Sequence, residues 1–336
     1  MPTTPLRATE DPRPDAQGRA GLHAALGHLG AAAALAPPDA VAAALARAWA
    51  EASGTGAVRL WLVDHQHRWL RVPDSDDGAE VGGPAPVARA FRAGTVRRSP
   101  DCTHAPVELR GSRWGVLEVD GSAPDLDDDA WALVTATMAT ALQAAARTSD
   151  QAELQRRSWE YSVTAERQWT VLPPLEQHHR PLRVAALLEP AHVATSDLFD
   201  WSVDGDHLSA CLVECAGDGV PATDTSLAVA AARQARRAGS SLLDQVRSVD
   251  DVLAREGAAG LLRGVFLRAD RTTCRLELVV AGAPQLWWLP GDGSPGGRLR
   301  LPTGPLLGAP GARDVAAVDL DPGAAVLVLS DGVLAA

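Results

Sequence analysis

Acidic residues and glycines stand together at the predicted ends of strands in the second half of the chain. Four segments show the pattern: Thr195-Ser-Asp-Leu-Phe-Asp200, Glu214-Cys-Ala-Gly-Asp-Gly219, Ala281-Gly-Ala-Pro284 and Leu329-Ser-Asp-Gly332. A carboxylate that ends an apolar strand is costly to bury unless it reaches water or a cation. Acids from three separate strands would converge on hard divalent metals, which take oxygen ligands. Two adjacent metals would activate a water molecule for in-line attack on a phosphate ester, with no protein nucleophile.

Each of these segments, taken alone, has a simpler explanation. Strands end in turns, and Asp and Gly are favoured in turns for backbone reasons. Other chemistries have no motif: no Ser-His-Asp or Cys-His set is recognisable, and no helix follows Gly291-Asp-Gly-Ser-Pro-Gly-Gly297 to make it a phosphate-binding loop. The order and spacing of the four segments therefore decide between the two interpretations.

The second half predicts an antiparallel, β-rich layered domain over residues 175–336. Alternating apolar residues predict strands at 183–188, 207–214, 261–268, 275–281, 285–289 and 324–329. Val203-Asp-Gly-Asp206 is a hairpin signal. Two helices, the second capped by Ser240 or Ser241, lie between the runs of strands. This order favours an α+β fold over a doubly wound one.

Residues 21–148 predict a separate α+β unit. A first helix begins near Leu22, and a second helix, with Asp39 as its cap, ends near Gly54. Strands follow at 57–63, 69–70, 105–110 and 114–119. The segment Asp64-His-Gln-His67 reads as a polar turn. Asp127-Asp-Asp129 places three acids at the start of a helix that runs to about residue 148.

The remaining segments predict a flexible tail at residues 1–20 and a helical signalling linker at residues 149–174. The tail is rich in Pro, Arg and Asp and has no apolar core, so it is not a secretory signal. The linker continues as helix through Trp169 and stops at Pro173-Pro174. Its apolar stripe suits a signalling helix or a short parallel coiled coil, and the second would allow a homodimer through this helix. The stripe consists of Leu154, Tyr161, Ala165 and Trp169.

Composition excludes several classes of function. The chain has 336 residues, and its 42 acidic and 31 basic residues give a net charge of −11. Such an acidic protein is a poor nonspecific binder of nucleic acid or anionic membranes. The chain contains no Lys, which excludes a catalytic lysine, and no apolar run reaches the ~18 residues of a membrane span. Four Cys are too few for a disulfide framework. We expect a cytoplasmic protein without a nucleic-acid or membrane partner.

The second half resembles the metal-dependent serine/threonine phosphatases of the PPM type. The resemblance is to the bacterial branch typified by the sporulation stage II phosphatase and its stress-response relatives. It rests on matches to that branch's lead-in, to its strand with Glu-Pro, and to its three acidic motifs. The matching segments are Ala165-Glu-Arg-Gln-Trp-Thr-Val-Leu-Pro-Pro174, Leu188-Glu-Pro, Asp197-Leu-Phe-Asp200, Glu214-Cys-Ala-Gly-Asp-Gly219 and Ser330-Asp331-Gly332.

The resemblance implies a centre with two Mn²⁺ or Mg²⁺ ions. Asp197, Glu214 and Asp331 would be the catalytic metal ligands, with Glu214 as the bridging carboxylate. The backbone carbonyl of Cys215 would be a further ligand, and Asp200 would be structural. The fold implied is a PPM-type antiparallel β-sandwich with helices.

This sequence also departs from the family pattern. Thr195-Ser196 replaces Gly-Gly, Glu214 replaces the shorter Asp, and His is replaced at Asp218 and at Ala283. Ala336 follows Asp331 by five residues, before the family's late Asp-Asp pair and closing strand. The sequence is therefore expected to be C-terminally incomplete, as a fragment or as a phosphatase that lacks part of its centre.

The first half resembles a GAF domain, a sensor of small molecules, and the same pattern fits a related PAS-type sensor. The segments that carry this likeness are Ala57-Val-Arg-Leu-Trp-Leu-Val-Asp64, Ala88-Arg-Ala-Phe-Arg-Ala-Gly94 and Trp114-Gly-Val-Leu-Glu-Val119. The resemblance implies an unknown small ligand and names none. Cys102, placed in a loop, is a conceivable chromophore attachment point, although a lone Cys is more often incidental.

Together these features predict a signalling phosphatase that acts on phosphoserine or phosphothreonine of a partner protein, under control of the sensor. In relatives the substrate is commonly a phosphorylated anti-sigma-factor antagonist. The main alternative is a pseudophosphatase, a regulatory binding module without turnover, which the departures at Glu214 and Thr195-Ser196 favour. A third is a ligand sensor and dimeriser whose second half is passive.

Overall fold

The structure is a computed structural model that describes residues 16–121, 123–189, 196–216, 222–258, 261–282 and 284–335. The chain divides into two compact units, Met1–Ser158 and Trp159–Ala336. Each unit combines an antiparallel sheet with helices, so the predicted α+β fold class with two domains is confirmed. Among the described residues, no helix is both long enough and apolar enough to span a membrane.

The first unit contains one six-stranded antiparallel sheet with the strand order β3-β2-β1-β6-β5-β4. Its elements in chain order are α1 (Ala16–Leu35), α2 (Val41–Ser53), β1 (Val58–Val63), β2 (Trp69–Arg71), β3 (Gly78–Glu80), α3 (Pro86–Ala93), β4 (Arg97–Arg98), β5 (Cys102–Leu109), β6 (Ser112–Asp120), α4 (Asp128–Ala146) and α5 (Asp150–Leu154).

Helix boundaries in this unit follow local capping chemistry. Gly54 ends α2 in the left-handed conformation, which glycine adopts without strain. Asp127 caps α4 by accepting a hydrogen bond from the Ala130 N–H. The predicted cap at Asp39 is wrong: this residue lies in a short 3-10 turn, and its side chain makes no capping bond. The predicted flexible tail at residues 1–20 is helical from Ala16 onwards. Residues 1–15 lie outside the described part.

The sheet of the first unit is covered on both faces. On one face, α1, α2 and α4 pack against alternate residues of β1, β5 and β6, with the Trp49 and Trp131 rings 5.4 Å apart. On the other face, α3 packs Val87 and Phe91 against Trp61. Because side chains alternate along a strand, each strand supplies both cores.

The second unit consists of a helical layer and two β layers. Its elements are α6 (Val163–Val171), β7 (Glu176–His179), β8 (Leu182–Ala185), β9 (Leu198–Asp204), β10 (His207–Cys215), α7 (Ala222–Arg237), α8 (Leu242–Arg255), β11 (Leu262–Asp270), β12 (Arg275–Ala281), β13 (Gln285–Leu289), β14 (Gly297–Arg298), β15 (Ala316–Asp319), β16 (Ala325–Leu329) and α9 (Asp331–Ala335).

The five-stranded sheet β15-β12-β11-β10-β9 is the centre of this unit. Its helix-facing side packs against α7 and α8, with Ser241 as the predicted cap of α8. Its other side packs against the sheet β14-β13-β16 and against β8. The result is a β-sandwich with a helix pair on one side.

The predicted continuous linker helix is wrong. Ser149 caps α5 and Ser162 caps α6, and residues 155–161 between these helices are not helical. A cap side chain satisfies the first free N–H groups of a new helix, so each serine starts a helix rather than continuing one. The predicted stripe is thereby divided, and it offers no uninterrupted helix for a coiled coil.

The segment after α5 instead packs within the first unit, on the turn formed by residues 64–67. Arg156 accepts a hydrogen bond from the His65 N–H at 3.0 Å, and Ser158 donates its hydroxyl to Asp64. The segment forms a polar turn as predicted, but three of its side chains are buried: Asp64, His65 and Gln66. These contacts satisfy part of the turn's hydrogen-bonding groups, as burial requires.

We expect His67 to make the stability of the first unit depend on pH. Burial, and then the charge of Arg156, lowers the pKa of His67 to about 4. Because this folded-state value lies below the unfolded value, the unfolded chain binds more protons between them, and stability falls as the pH drops below about 6.5. Urea unfolding at pH 7.5 and pH 5 should differ by about 2 kcal/mol from this group.

His67→Asn is the matched variant for this prediction, because Asn tolerates the positive φ of 53° at this position and does not titrate. Other titrating groups are common to both proteins, so the difference between their pH slopes isolates His67. Equal slopes in the two proteins would contradict the prediction.

Candidate metal centre

Three carboxylates from distant parts of the sequence lie together in the second unit. Asp197, Glu214 and Asp331 each place one oxygen so that all three atoms lie within 4.8 Å of one another. Glu214 is buried, Asp197 is half-buried and Asp331 is exposed. The cluster therefore opens to solvent on the side of Asp331.

Strand register brings these residues to one end of the sandwich. Leu198 on β9 pairs with Val213 on β10, so the next position places Asp197 opposite Glu214. In the other sheet, Leu329 ends β16 opposite Gln285, and Asp331 begins α9 two residues later. Each sheet thus contributes acids at the same end.

Backbone and hydroxyl groups hold the carboxylates in place. The Asp331 N–H donates to Glu214 Oε2 at 2.9 Å, which ties the start of α9 to β10. Ser196 donates its hydroxyl to Asp197 Oδ1 at 3.4 Å. Gln168, on α6, donates to the Asp197 carbonyl at 2.7 Å, which fixes the backbone where β9 begins.

Electrostatics at the cluster disfavours two ionised carboxylates without a cation. Burial raises the pKa of Asp197, as does the charge of Asp331, against a lowering hydrogen bond from Ser330. Burial also raises the pKa of Glu214, and the charges of Asp331 and Asp197 add to that effect. Like charges held this close repel each other, and a cation relieves that repulsion.

Arg263 supplies positive charge at the cluster. It lies on β11 directly opposite Glu214, and its Nη1 is 2.6 Å from Asp331 Oδ2 and 3.7 Å from Glu214 Oε1. Gly282 adjoins its side chain: a Cβ at that glycine, whose φ is +72°, would come within 2.9 Å of Arg263 Cγ. The glycine in the predicted segment 281–284 therefore leaves room for the arginine.

The other residues singled out in the sequence are not members of the three-carboxylate cluster, and several lie outside the described part. Cys215 follows Glu214 at the end of β10, and its buried thiol contacts the Ser196 carbonyl at 3.9 Å. Asp200 is buried and pairs with Arg233 and Arg236 on α7, away from the three carboxylates. Thr195, residues 217–219 with Asp218, and Ala283 are not described.

Sequence reasoning missed Arg263, Ser330 and Gln168 as residues of the cluster. Arg263 carries no motif, and only the pairing of β10 with β11 reveals its position. Ser330 lies next to Asp331 in the motif Ser330-Asp331-Gly332, and that motif was the sequence signal available for it. Gln168 stood in the quoted lead-in match over residues 165–174, which was the signal available for it, but that segment was assigned to the linker and not to the cluster.

Residues 204–336 match the family of stage II sporulation protein E (SpoIIE). This segment is a SpoIIE-family domain. The match includes Glu214, Arg263 and Asp331, while Asp197 lies just before it. The resemblance stated from the sequence is confirmed for this part of the chain.

Solved structures similar to this chain include RsbU and RsbW domains, a PP2C domain and a GAF domain. The RsbU and RsbW domains of a Mycobacterium tuberculosis protein match at 23% identity with a TM-score of 0.37, covering 40% of this chain and 38% of that one. The SiaA-PP2C domain of Pseudomonas aeruginosa matches at 26% identity with a TM-score of 0.35, covering 41% of this chain and 56% of that one.

A third similar structure is the GAF domain from an Acinetobacter phosphoenolpyruvate-protein phosphotransferase. It matches at 12% identity with a TM-score of 0.34, covering 40% of this chain and 98% of that one. No curated protein matches the chain.

The donor set of the three-carboxylate cluster fits hard divalent cations. All three side chains offer carboxylate oxygens, which Mg²⁺ and Mn²⁺ prefer. Two of these carboxylates carry raised pKa values that a cation would lower. The partly open cluster also leaves room for the water molecules that Mg²⁺ retains when it binds.

Proposed function

We propose that this protein is a metal-dependent serine/threonine phosphatase that acts on a phosphorylated partner protein. The observation that carries the proposal is the convergence of Asp197 with Glu214 and Asp331, the last two of which lie in the SpoIIE-family segment. We further propose that residues 21–148 are a GAF-like sensor of a small ligand that controls the phosphatase. By the resemblance, the substrate is a phosphorylated anti-sigma-factor antagonist.

The three carboxylates, together with the backbone carbonyl of Cys215, are the proposed ligands of two Mn²⁺ or Mg²⁺ ions. Such ions lower the pKa of a water molecule and offset the charge of a phosphoryl group. Glu214 is oriented for this role because one of its oxygens accepts the Asp331 N–H. Asp331, which is exposed, lies where a phosphorylated segment can approach from solvent.

The test is hydrolysis of a phosphoserine peptide by the purified full chain, with and without Mn²⁺. The proposal expects release of phosphate that depends on Mn²⁺ and stops when a chelator is added. Absence of Mn²⁺-stimulated hydrolysis of both the peptide and an aryl phosphate would count against it.

A pseudophosphatase is the second candidate, and Arg263 is the observation that favours it. The Arg263 guanidinium already contacts two of the three carboxylates and offsets part of their charge. Because Arg263 already offsets part of the negative charge of these carboxylates, the domain depends less on a metal ion for its folding. Calorimetric titration with Mn²⁺ separates the candidates, since an enzyme should take up two ions and a binding module one ion weakly or none.

Arg263→Ala is expected to tighten Mn²⁺ binding about tenfold, which corresponds to about 1.4 kcal/mol. The reason is that the guanidinium and the metal ion repel each other and compete for the same carboxylates. Calorimetry on the full chain measures the effect. The control is Arg268→Ala, which changes a half-buried arginine on the same strand that is remote from the cluster. Equal Mn²⁺ affinity in wild type and Arg263→Ala would show that this arginine does not compete with the metal.

A further inference from the structure

A second group of ligand-type side chains lies in the first unit, on the sheet. Cys102, His104 and Glu118 each place one ligand atom within 4.8 Å of the others. His104 and Glu118 are buried, and Cys102 is half-buried. This group belongs to the other unit of the chain and is independent of the phosphatase centre.

The register of the sheet explains why these residues meet. Cys102 and His104 are two positions apart on β5, so they point to the same face. His104 pairs with Glu118 on β6, and Cys102 pairs with Asp120. All four side chains therefore project from the face that carries Trp61 and α3, at one end of the strands.

The distances fit a single ion. His104 Nε2 lies 3.8 Å from Cys102 Sγ and 2.9 Å from Glu118 Oε2. A tetrahedral zinc site with bonds of about 2.3 Å to sulfur, 2.05 Å to nitrogen and 2.1 Å to oxygen separates these donors by about 3.6 Å and 3.4 Å. Shifts of about 0.5 Å or less, within the reach of side-chain rotation, would therefore complete the geometry.

The charge balance favours a divalent ion. Arg59 on β1 pairs with Glu118 at 2.5 Å and with Asp120 at 3.3 Å. With Cys102 as a thiolate and both acids ionised, the cluster carries three negative charges, which Arg59 and one divalent ion neutralise together. Binding releases the thiol proton of Cys102 to solvent.

We propose that Cys102, His104 and Glu118 form a binding site for a divalent transition metal, with zinc as the type ion. The donor set is decisive, because thiolate and imidazole ligands select zinc-like ions over Mg²⁺ and Ca²⁺. Asp120 or a water molecule takes the fourth position, on the side where Cys102 is half-exposed. The ion joins β5 to β6 through its ligands. Arg59 on β1 pairs with the ligand Glu118, so the site is also connected to β1.

The test is titration of the purified full chain with Co²⁺, a spectroscopic substitute for zinc. We expect one equivalent to produce a sulfur-to-cobalt charge-transfer band and the intense visible bands of a tetrahedral site. Zn²⁺ should abolish these bands by displacement and raise the midpoint of thermal unfolding. Oxygen-only binding at Asp197, Glu214 and Asp331 produces no sulfur band.

Cys102→Ser is expected to remove the charge-transfer band and the Zn²⁺-induced thermal shift. Glu118→Gln, which keeps the size of the side chain, should weaken Zn²⁺ binding at least tenfold. Cys274→Ser is the matched control, because this half-buried thiol lies in the second unit, and it should retain both signals. A band that persists in Cys102→Ser, or no band at saturating Co²⁺ in the wild type, would overturn the proposal and leave His104 and Glu118 as a hydrogen-bonded pair.

Discussion

Asp331→Asn is expected to reduce the proposed Mn²⁺-dependent phosphatase activity on the order of 100-fold or more, since even outer partners of metal ligands contribute 10–100-fold. The substitution keeps the shape of the side chain and removes one of the three converging carboxylate charges. Phosphate release from a phosphoserine peptide measures the effect, and calorimetry should show weaker Mn²⁺ binding in parallel.

Folding and catalysis can be separated at this position. The Asp331 side chain is 62% exposed, and its ion pair with Arg263 is partly exposed, so its loss should change the unfolding free energy by less than about 1 kcal/mol. Asp321→Asn is the matched control, because Asp321 is also an exposed acid in this unit but lies outside the cluster. Equal activity of Asp331→Asn and wild type would remove Asp331 from the proposed centre.

Asp200→Ala is expected to destabilise the second unit by about 3–5 kcal/mol, the typical effect of removing one partner from a buried ion pair. Asp200 is 2% exposed, and its two oxygens accept from Arg233 at 2.6 Å and from Arg236 at 2.7 Å. Without the carboxylate, two arginines that are mostly covered would face each other without a counter-charge. Urea unfolding of the full chain measures the loss.

Asp206→Asn is the control for this prediction. Asp206, in the turn between β9 and β10, pairs at 2.6 Å with Arg271, which follows β11. Both side chains are exposed, so the expected change is below about 1 kcal/mol. Similar losses in the two variants would show that burial at Asp200 has no special effect. The result also tests the structural role that the sequence assigned to Asp200.

The strands and most helices follow from local sequence. The largely apolar run from Val58 to Val63, the Asp-Gly turn before β10 and the serine cap of α8 are each encoded within a few residues. Predictions that depend on contacts between residues distant in sequence were less accurate. The linker segment has helical periodicity, but two caps and the burial of residues 64–66 divide it. Whether this segment forms one continuous helix depends on contacts with residues about 90 positions away in sequence, such as that of Ser158 with Asp64.

Loop placement was also beyond local reasoning. Cys102 was assigned to a loop, yet it begins β5, where burial and the charges of Glu118 and Asp120 raise its pKa to about 11. The thiol is therefore protonated at neutral pH, which disfavours a reactive attachment point. Pairing between strands, which single-sequence patterns do not specify, made this difference.

The sequence by itself determined the chemistry available to the second unit: which acids end strands, and in what order along the chain. Only the tertiary structure decided that Asp197, Glu214 and Asp331 meet, that Asp200 faces arginines, and that Arg263 lies among the acids. The physical reason is that residue type and periodicity are local properties. Distances between carboxylates depend on strand register and on how two sheets pack, and many residues distant in sequence set both.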